Sequence, residues 1–314
     1  MAGRDFTGKQ VGQYFLSSKL GLGASGGVYY GVDVTLQNSP TYAIKCMPQS
    51  SNPKRRSQQA AEVANHDAVI LCPHVLNLYD FFEEDDCIFL VLPLCEMDME
   101  RAIFGEKMYW RNDALIKKTF VDILDGVFAC HIKGVFHRDL KPENIMCNAD
   151  GTKIKIGDFG LSTNRRICRD GGCGTLPYMS PGQSFVATQS RRTDWPRECL
   201  DKHALGYDAN QADIWSLGVI LFNMVTLRFP WEQAAATDNE YMAFLAKKNH
   251  ILRTYPISES LSGLLCRIWD PTPMKRMSIP AIRRAILEMD TFYKARRSSH
   301  AASPLSKEVL LIDS

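Results

Sequence analysis

The chain has 314 residues, 45% hydrophobic and 23% charged, with 37 basic against 35 acidic side chains and a net charge of +2. This is the composition of a soluble globular protein long enough for one large domain or two lobes. The near-neutral balance excludes the electrostatic footprint of a nucleic-acid binder. Ten cysteines occur without a C-x-x-C pair, which argues against zinc ribbons and thioredoxin chemistry and for a reduced intracellular setting, cytoplasm first and nucleus second. The amino terminus, MAGRDFTGKQVGQ, has no apolar secretion-signal core. The longest apolar run, near Ile214–Val225, is broken by Ser216 and Asn223 and is too short to span a bilayer, so no membrane role is expected.

In chain order, the first hundred residues read mainly as strands. YFLSSKL (14–20), GVYYGVDV (27–34), TYAIKCM (41–47) and CIFLVL (87–92) are rich in β-branched and aromatic residues between polar or glycine-containing breaks. RRSQQAAEVANHDAVIL, between the last two, suits a helix. After Pro93 the texture becomes helical: in ALIKKTFVDILDGVF, Leu115, Ile116, Phe120, Ile123, Leu124, Val127 and Phe128 share one face. A hairpin follows, with NIM and TKIKI flanking NADG, where Asp150-Gly151 is the turn signal. Helical patterning resumes at Asp213, and the tail after about Phe292 is polar. The expected architecture is α+β: a small β-rich lobe with one main helix, then a larger, mostly helical lobe.

GLGASGGV (21–28) contains G-x-G-x-x-G, which in isolation is as often a plain glycine-rich turn. A dinucleotide fold would need a helix directly after it. GVYYGVDV is β-rich instead, so the loop is expected to join two strands and fold over a nucleotide, its glycines letting backbone approach phosphate. Lys45 falls on the next strand. A lone strand lysine is ordinarily a solvated edge charge and a lone Glu62 a surface carboxylate, but as a pair they can hold the amine against α- and β-phosphates. HRDLKPEN (137–144) is far more specific. Asp139 can orient an attacking hydroxyl and take its proton, Lys141 can neutralise a transferring phosphoryl group, and Pro142 stiffens the loop. Asn144 offers an oxygen to a hard cation, and Asp158 of DFG, fourteen residues later, offers the second; Mg²⁺ is the expected metal.

This ordered set resembles the eukaryotic protein kinases over about residues 14–293. The resemblance implies a bilobal fold, with an N-terminal extension (1–13), a small lobe (about 14–92), a hinge (93–96), a large lobe (97–293) and a polar tail (294–314). ATP would lie beneath Leu20, Gly21, Leu22, Gly23 and Gly26, with Val28 and Ala43 covering the adenine. Leu92 aligns with the gatekeeper position. The Pro93 carbonyl and Cys95 N–H would meet the adenine edge. Lys141 and Gly174-Thr175 resemble the serine/threonine branch, which implies a protein or peptide substrate bearing Ser or Thr, and a monomer. Asp213 in ADIWSLG matches the aspartate that braces the catalytic loop, although simple N-capping of a helix is an alternative role. LRFPWEQA weakly resembles fungal Ran-type kinases.

The resemblance departs at YMSPGQSFVATQSRRTDWPRECLDK (178–202), where Gly182 stands in place of the family's activation-segment glutamate. In the family that glutamate pairs with a late arginine, here Arg276 in DPTPMKRMS. Deleting 182–197 joins YMSP to ECLDK and restores the family's usual interval to Asp213. This segment is therefore expected to be an insertion that loops out, with Glu198 as the displaced carboxylate. It carries Arg191, Arg192 and Arg197 against Asp194, so the chain's whole net charge of +2 resides there. The alternative function is a nucleotide-binding pseudokinase or scaffold whose peptide platform the insertion disrupts. Arg138 suggests control through a phosphorylated activation loop, yet no Ser or Thr occurs from Asn164 through Gly174. Constitutive ordering, or redox control through Cys168 or Cys173, are the two expectations left.

Overall fold

A computed structural model describes residues 4–23, 26–170, 173–188, 206–247 and 250–295. The small lobe is one antiparallel sheet of β1 (Lys9–Val11), β2 (Tyr14–Gly23), β3 (Gly26–Asp33), β4 (Thr41–Pro48), β5 (Asp80–Glu84) and β6 (Cys87–Pro93), in the order β1-β2-β3-β4-β6-β5. In β6 successive side chains serve opposite faces. Cys87, Phe89 and Val91 join a cluster with Phe6, Tyr29 and Ile44, while Ile88 and Leu90 pack with Met47 and Val63. Sequence patterning located four of these six strands. β1 lies inside the expected N-terminal extension, whose Phe6 is fully buried and meets Phe89 edge-on at 5.3 Å.

The main helix of this lobe, α1 (Pro53–Val69), starts where it does because Asn52 caps it, its side chain accepting from the N–H groups of Lys54 and Arg55, with Pro53 in the first turn. Its buried face carries Glu62, Val63, Asn65 and His66. The large lobe begins with β7 (Met97–Asp98), and α2 (Asp113–Ile132) follows. Ile116, Phe120, Ile123, Leu124 and Val127 of α2 are buried, but Phe128, at the edge of the apolar stripe, is 38% exposed. The expected hairpin is present as β8 (Ile145–Cys147) and β9 (Ile154–Ile156). It turns through Gly151 at φ +70°, a conformation that glycine adopts without cost.

Beyond it come β10 (Ile167–Cys168), α3 (Pro181–Thr188) and β11 (Tyr207–Asp208), with β10 and β11 paired antiparallel. Then follow α4 (Ala209–Thr226), α5 (Asn239–Ala246), α6 (His250–Thr254), α7 (Glu259–Ile268) and α8 (Ile279–Glu288). α4 is buried on nearly all sides. Its Trp215 anchors an aromatic cluster with Trp231 at 5.4 Å and Trp269 at 6.4 Å, and those two rings meet at 4.7 Å. Burying such large side chains supplies about 1.5–3 kcal/mol each. No helix among the described residues is long and apolar enough to cross a membrane.

Candidate active site

The nucleotide side of the cleft is set by strand register. Val28 stands opposite Lys45 and Ala43 opposite Leu92, so these four share one sheet face. Next to that face β2 and β3 pair as far as Gly23↔Gly26, while Leu20 and Leu22 are exposed. A Cβ at Gly26 would fall 1.8 Å from the Cys46 carbonyl oxygen, so only glycine fits this approach of β3 to β4. In the hinge, the Pro93 carbonyl accepts from the Cys95 thiol at 3.7 Å.

Lys45 Nζ donates to Glu62 at 2.6 Å and to Asp158 at 2.7 Å, joining β4, α1 and the turn after β9. Burial alone would lower the Lys45 pKa, but the two carboxylates outweigh it and push it up to about 12. Burial raises Glu62 above the ordinary carboxylate range despite Lys45, whereas Lys45 holds Asp158 below that range against the desolvation opposing it. Asn65 Nδ2 donates to Ser162 Oγ at 3.0 Å, and Phe159 is buried against His66 and His137, which fastens α1 to the turn carrying Asp158.

On the transfer side, Thr175 Oγ1 donates to Asp139 Oδ1 at 2.9 Å and accepts from Lys141 Nζ at 2.8 Å. Lys141 Nζ also lies 3.2 Å from Asp139 Oδ2. Asn144 Nδ2 donates to the Asp139 carbonyl at 2.8 Å, which leaves Oδ1 for a hard cation. Among the described residues no three His, Cys, Asp or Glu side chains gather into a metal cage. One amide oxygen from Asn144 and one carboxylate from Asp158 nevertheless fit Mg²⁺, which takes few protein ligands and shares substrate phosphates.

Asp213, fully buried, accepts the N–H of His137 at 2.8 Å and of Arg138 at 2.7 Å, and a bond from His131 Nε2 at 2.8 Å. Asn210 Nδ2 donates to His131 Nδ1, which places the ring proton on Nε2. The bracing role therefore has its geometry, and the capping alternative does not: Asp208 caps α4, and Asp213 lies a turn inside it.

The activation segment holds what the sequence reading missed. Arg138, at φ +66°, donates from its guanidinium to the Leu161 carbonyl, to Asp170 at 2.8 Å and to the Tyr207 hydroxyl at 3.4 Å. Asp170 is the one acidic residue in the Ser- and Thr-free stretch 164–174. Burial opposes its ionisation, but the Arg138 guanidinium holds its carboxyl below the usual range. Burial raises the thiol pKa of both Cys168 and Cys173, which argues against reactive thiolates there.

The segment expected to loop out from Gly182 instead begins as α3. Ser180-Pro181-Gly182-Gln183 forms a capping box, in which Ser180 Oγ accepts from Gln183 N at 3.4 Å and Gln183 Oε1 accepts from Ser180 N at 3.0 Å. A helix therefore starts at once, with Gln183 and Ser184 buried. Glu198 lies outside the described residues. Arg276, its expected partner, donates to the carbonyls of Asp270 and Gln211 and stacks over Trp215 at 4.9 Å.

A lysine held between two carboxylates and a braced acid–lysine–threonine cluster form the two halves of the candidate site. The chain belongs to the protein kinase domain family, which matches residues 14–286, and its relatives over most of its length include serine/threonine kinases. It is 36% identical over 84% of its length to the "Negative regulator of sexual conjugation and meiosis" of Schizosaccharomyces pombe, covering 57% of that protein. It is 25% identical over 96% of its length to "Serine/threonine-protein kinase VHS1" of Saccharomyces cerevisiae, covering 75% of it. To "CBL-interacting protein kinase 32" of Oryza sativa it is 30% identical over 87%, covering 58% of that protein.

Proposed function

We propose that this chain is an active, Mg²⁺-dependent protein serine/threonine kinase that transfers the γ-phosphoryl of ATP to Ser or Thr hydroxyls of protein substrates. The observation that carries this reading is the assembly of both halves of the site at once: Lys45 bonded to Glu62 and Asp158, and Asp139 bonded to Thr175 beside Lys141. Lys45 steadies the α- and β-phosphates, and the Pro93 carbonyl and Cys95 N–H orient the adenine between Val28 and Ala43. Mg²⁺ bound by Asn144 and Asp158 would neutralise phosphate charge. Asp139 orients the substrate hydroxyl and takes its proton as that oxygen bonds to the γ-phosphorus. The bond from the γ-phosphorus to the β–γ bridging oxygen breaks, ADP leaves, and Lys141 stabilises the transferring group.

Asp170 supplies in the chain itself the negative charge that Arg138 would otherwise receive from a phosphorylated residue, so Arg138 is engaged without prior modification. The chain's LRFPWEQA stretch supports a relation to the fungal Ran-type kinases. The chain acts as a monomer, in cytoplasm or nucleus, and residues 182–197 are an insertion after which Glu198 serves Arg276.

Radiolabelled ATP with a basic-protein mixture tests the activity. Wild type is expected to incorporate phosphate, and Asp139→Asn is expected to lose at least about a hundredfold in rate. A wild type that binds Mg·ATP but incorporates nothing at any Mg²⁺ concentration would establish the scaffold reading instead.

A further inference from the structure

The peptide group that carries Asp139 is gripped at both ends. Its N–H donates to His137 Nδ1 at 3.3 Å. That ring's Nε2 bonds to the Gly157 carbonyl at 2.9 Å, which requires the proton on Nε2 and leaves Nδ1 to accept. Its carbonyl, that of Arg138, accepts from Gln183 Nε2 at 3.0 Å. The same Nε2 reaches the Cys173 carbonyl at 3.4 Å, across in the activation segment.

The Gln183 side chain is only 2% exposed, so its amide has little water to turn to. Its orientation is fixed from the other end, because Oε1 accepts from Ser180 N. Room for it comes from Gly174, at φ +112°, where a Cβ would sit 3.4 Å from Gln183 Nε2 and 3.1 Å from the Arg138 carbonyl oxygen. A glutamine within the segment suspected of being a passive insertion thus ties the catalytic loop to the activation segment.

We infer that Gln183 is a positioning residue for phosphotransfer, aligning the peptide that carries Asp139 with the segment that carries Thr175. The inference rests on the kinase reading above. Thr175 and Gln183 then constrain one residue from two sides: Thr175 bonds the Asp139 carboxylate, and Gln183 bonds the peptide behind it. A helix cap alone would use Oε1 and have no need of the Nε2 bonds.

Three substitutions separate the roles. Gln183→Glu keeps the length and the Oε1 acceptor for Ser180 but places a carboxylate against two carbonyl oxygens. Gln183→Met keeps the bulk and removes every side-chain hydrogen bond, and it serves should the glutamate variant not fold. Both are expected to lower kcat about ten- to a hundredfold, as a small misplacement of a reacting group does. Mg·ATP affinity, read by calorimetric titration, should stay within about twofold. Amide hydrogen exchange in the peptide spanning 136–140 should rise in both variants while the rest of the large lobe keeps its protection. Ser180→Ala, which weakens the cap and leaves the Gln183–Arg138 bond, should keep kcat within about twofold.

Folded variants with wild-type kcat and unchanged loop exchange would overturn the inference. So would a loss of Mg·ATP affinity and global protection in step with activity, because a merely structural residue does that. If wild type itself transfers no phosphate, the kinase reading fails on its own, and exchange at 136–140 still decides whether Gln183 holds the loop.

Discussion

The two sides of the cleft are held by different physics. On the nucleotide side, Lys45, Glu62 and Asp158 come from three separate elements and are joined by full charges at 2.6 and 2.7 Å. On the transfer side, Asp139 owes its place largely to backbone: the carbonyl and N–H of its own peptide, the N–H groups that Asp213 collects, and the hydroxyl of Thr175. Charge tolerates small shifts in geometry because it falls off slowly with distance. Hydrogen bonds depend on direction as well as distance and weaken steeply once bent. The nucleotide side is therefore expected to depend on which charges are present, and the transfer side on how the chain around it is seated.

The largest effect should come from breaking the charged side. Lys45→Met is expected to lower kcat/KM by about a hundred- to a thousandfold in steady-state phosphate transfer, since it removes a cation aimed at the phosphates. Asp170→Asn tests the seated side: it keeps the shape but turns a charge-assisted bond to Arg138 into a neutral one. A loss of about 1.5 kcal/mol, or roughly tenfold, is expected in kcat/KM for peptide, with Mg·ATP affinity unchanged by titration. Equal losses on both measurements would blur the comparison.

The smallest effect is a pH dependence. Lys45 is raised from 10.5 to about 12, so its contribution to stability is complete below about 10.5 and fades only as pH climbs through about 12. The lowered Asp158 contributes above its ordinary value and loses that only as pH falls below it. Neither changes near neutrality. In Lys45→Met, however, the buried Glu62, already raised by burial, loses its cation and binds a proton more tightly when folded than unfolded. That variant should gain thermal stability, relative to wild type over the same range, as pH falls toward the ordinary carboxylate value and the buried Glu62 takes up its proton.

Legibility in the sequence follows the same division. Lys45, Glu62, Asp139, Lys141, Asn144 and Asp158 could be read from side-chain chemistry at fixed spacings, and the structure brings Lys45 to Glu62 and Asp158, and Asp139 to Lys141 and Asn144. β3 and β6 were visible because their apolar residues line faces. β1 has only three residues, and β5 reads DFFEE with no buried residue along it, so neither gave a periodic signal. Asp170 and Gln183 were invisible for a different reason: their partners are brought to them by the tertiary approach of the activation segment to Arg138. For Gln183 a local signal did exist, the Ser-x-x-Gln box after Tyr178-Met179, but it sat inside a stretch already read as inserted length.

The aromatic cluster around Trp215 also settles what light can report about this molecule. The sequence has five tryptophans, and none precedes residue 110. Three of them, Trp215, Trp231 and Trp269, lie within energy-transfer distance of one another, and Arg276 rests on the first. Tryptophan emission therefore has no reporter in the small lobe. A melting curve recorded by tryptophan emission reports the core of the large lobe through Trp215, Trp231 and Trp269 and is blind to the β-sheet above the cleft, whose order must be read from its tyrosines instead.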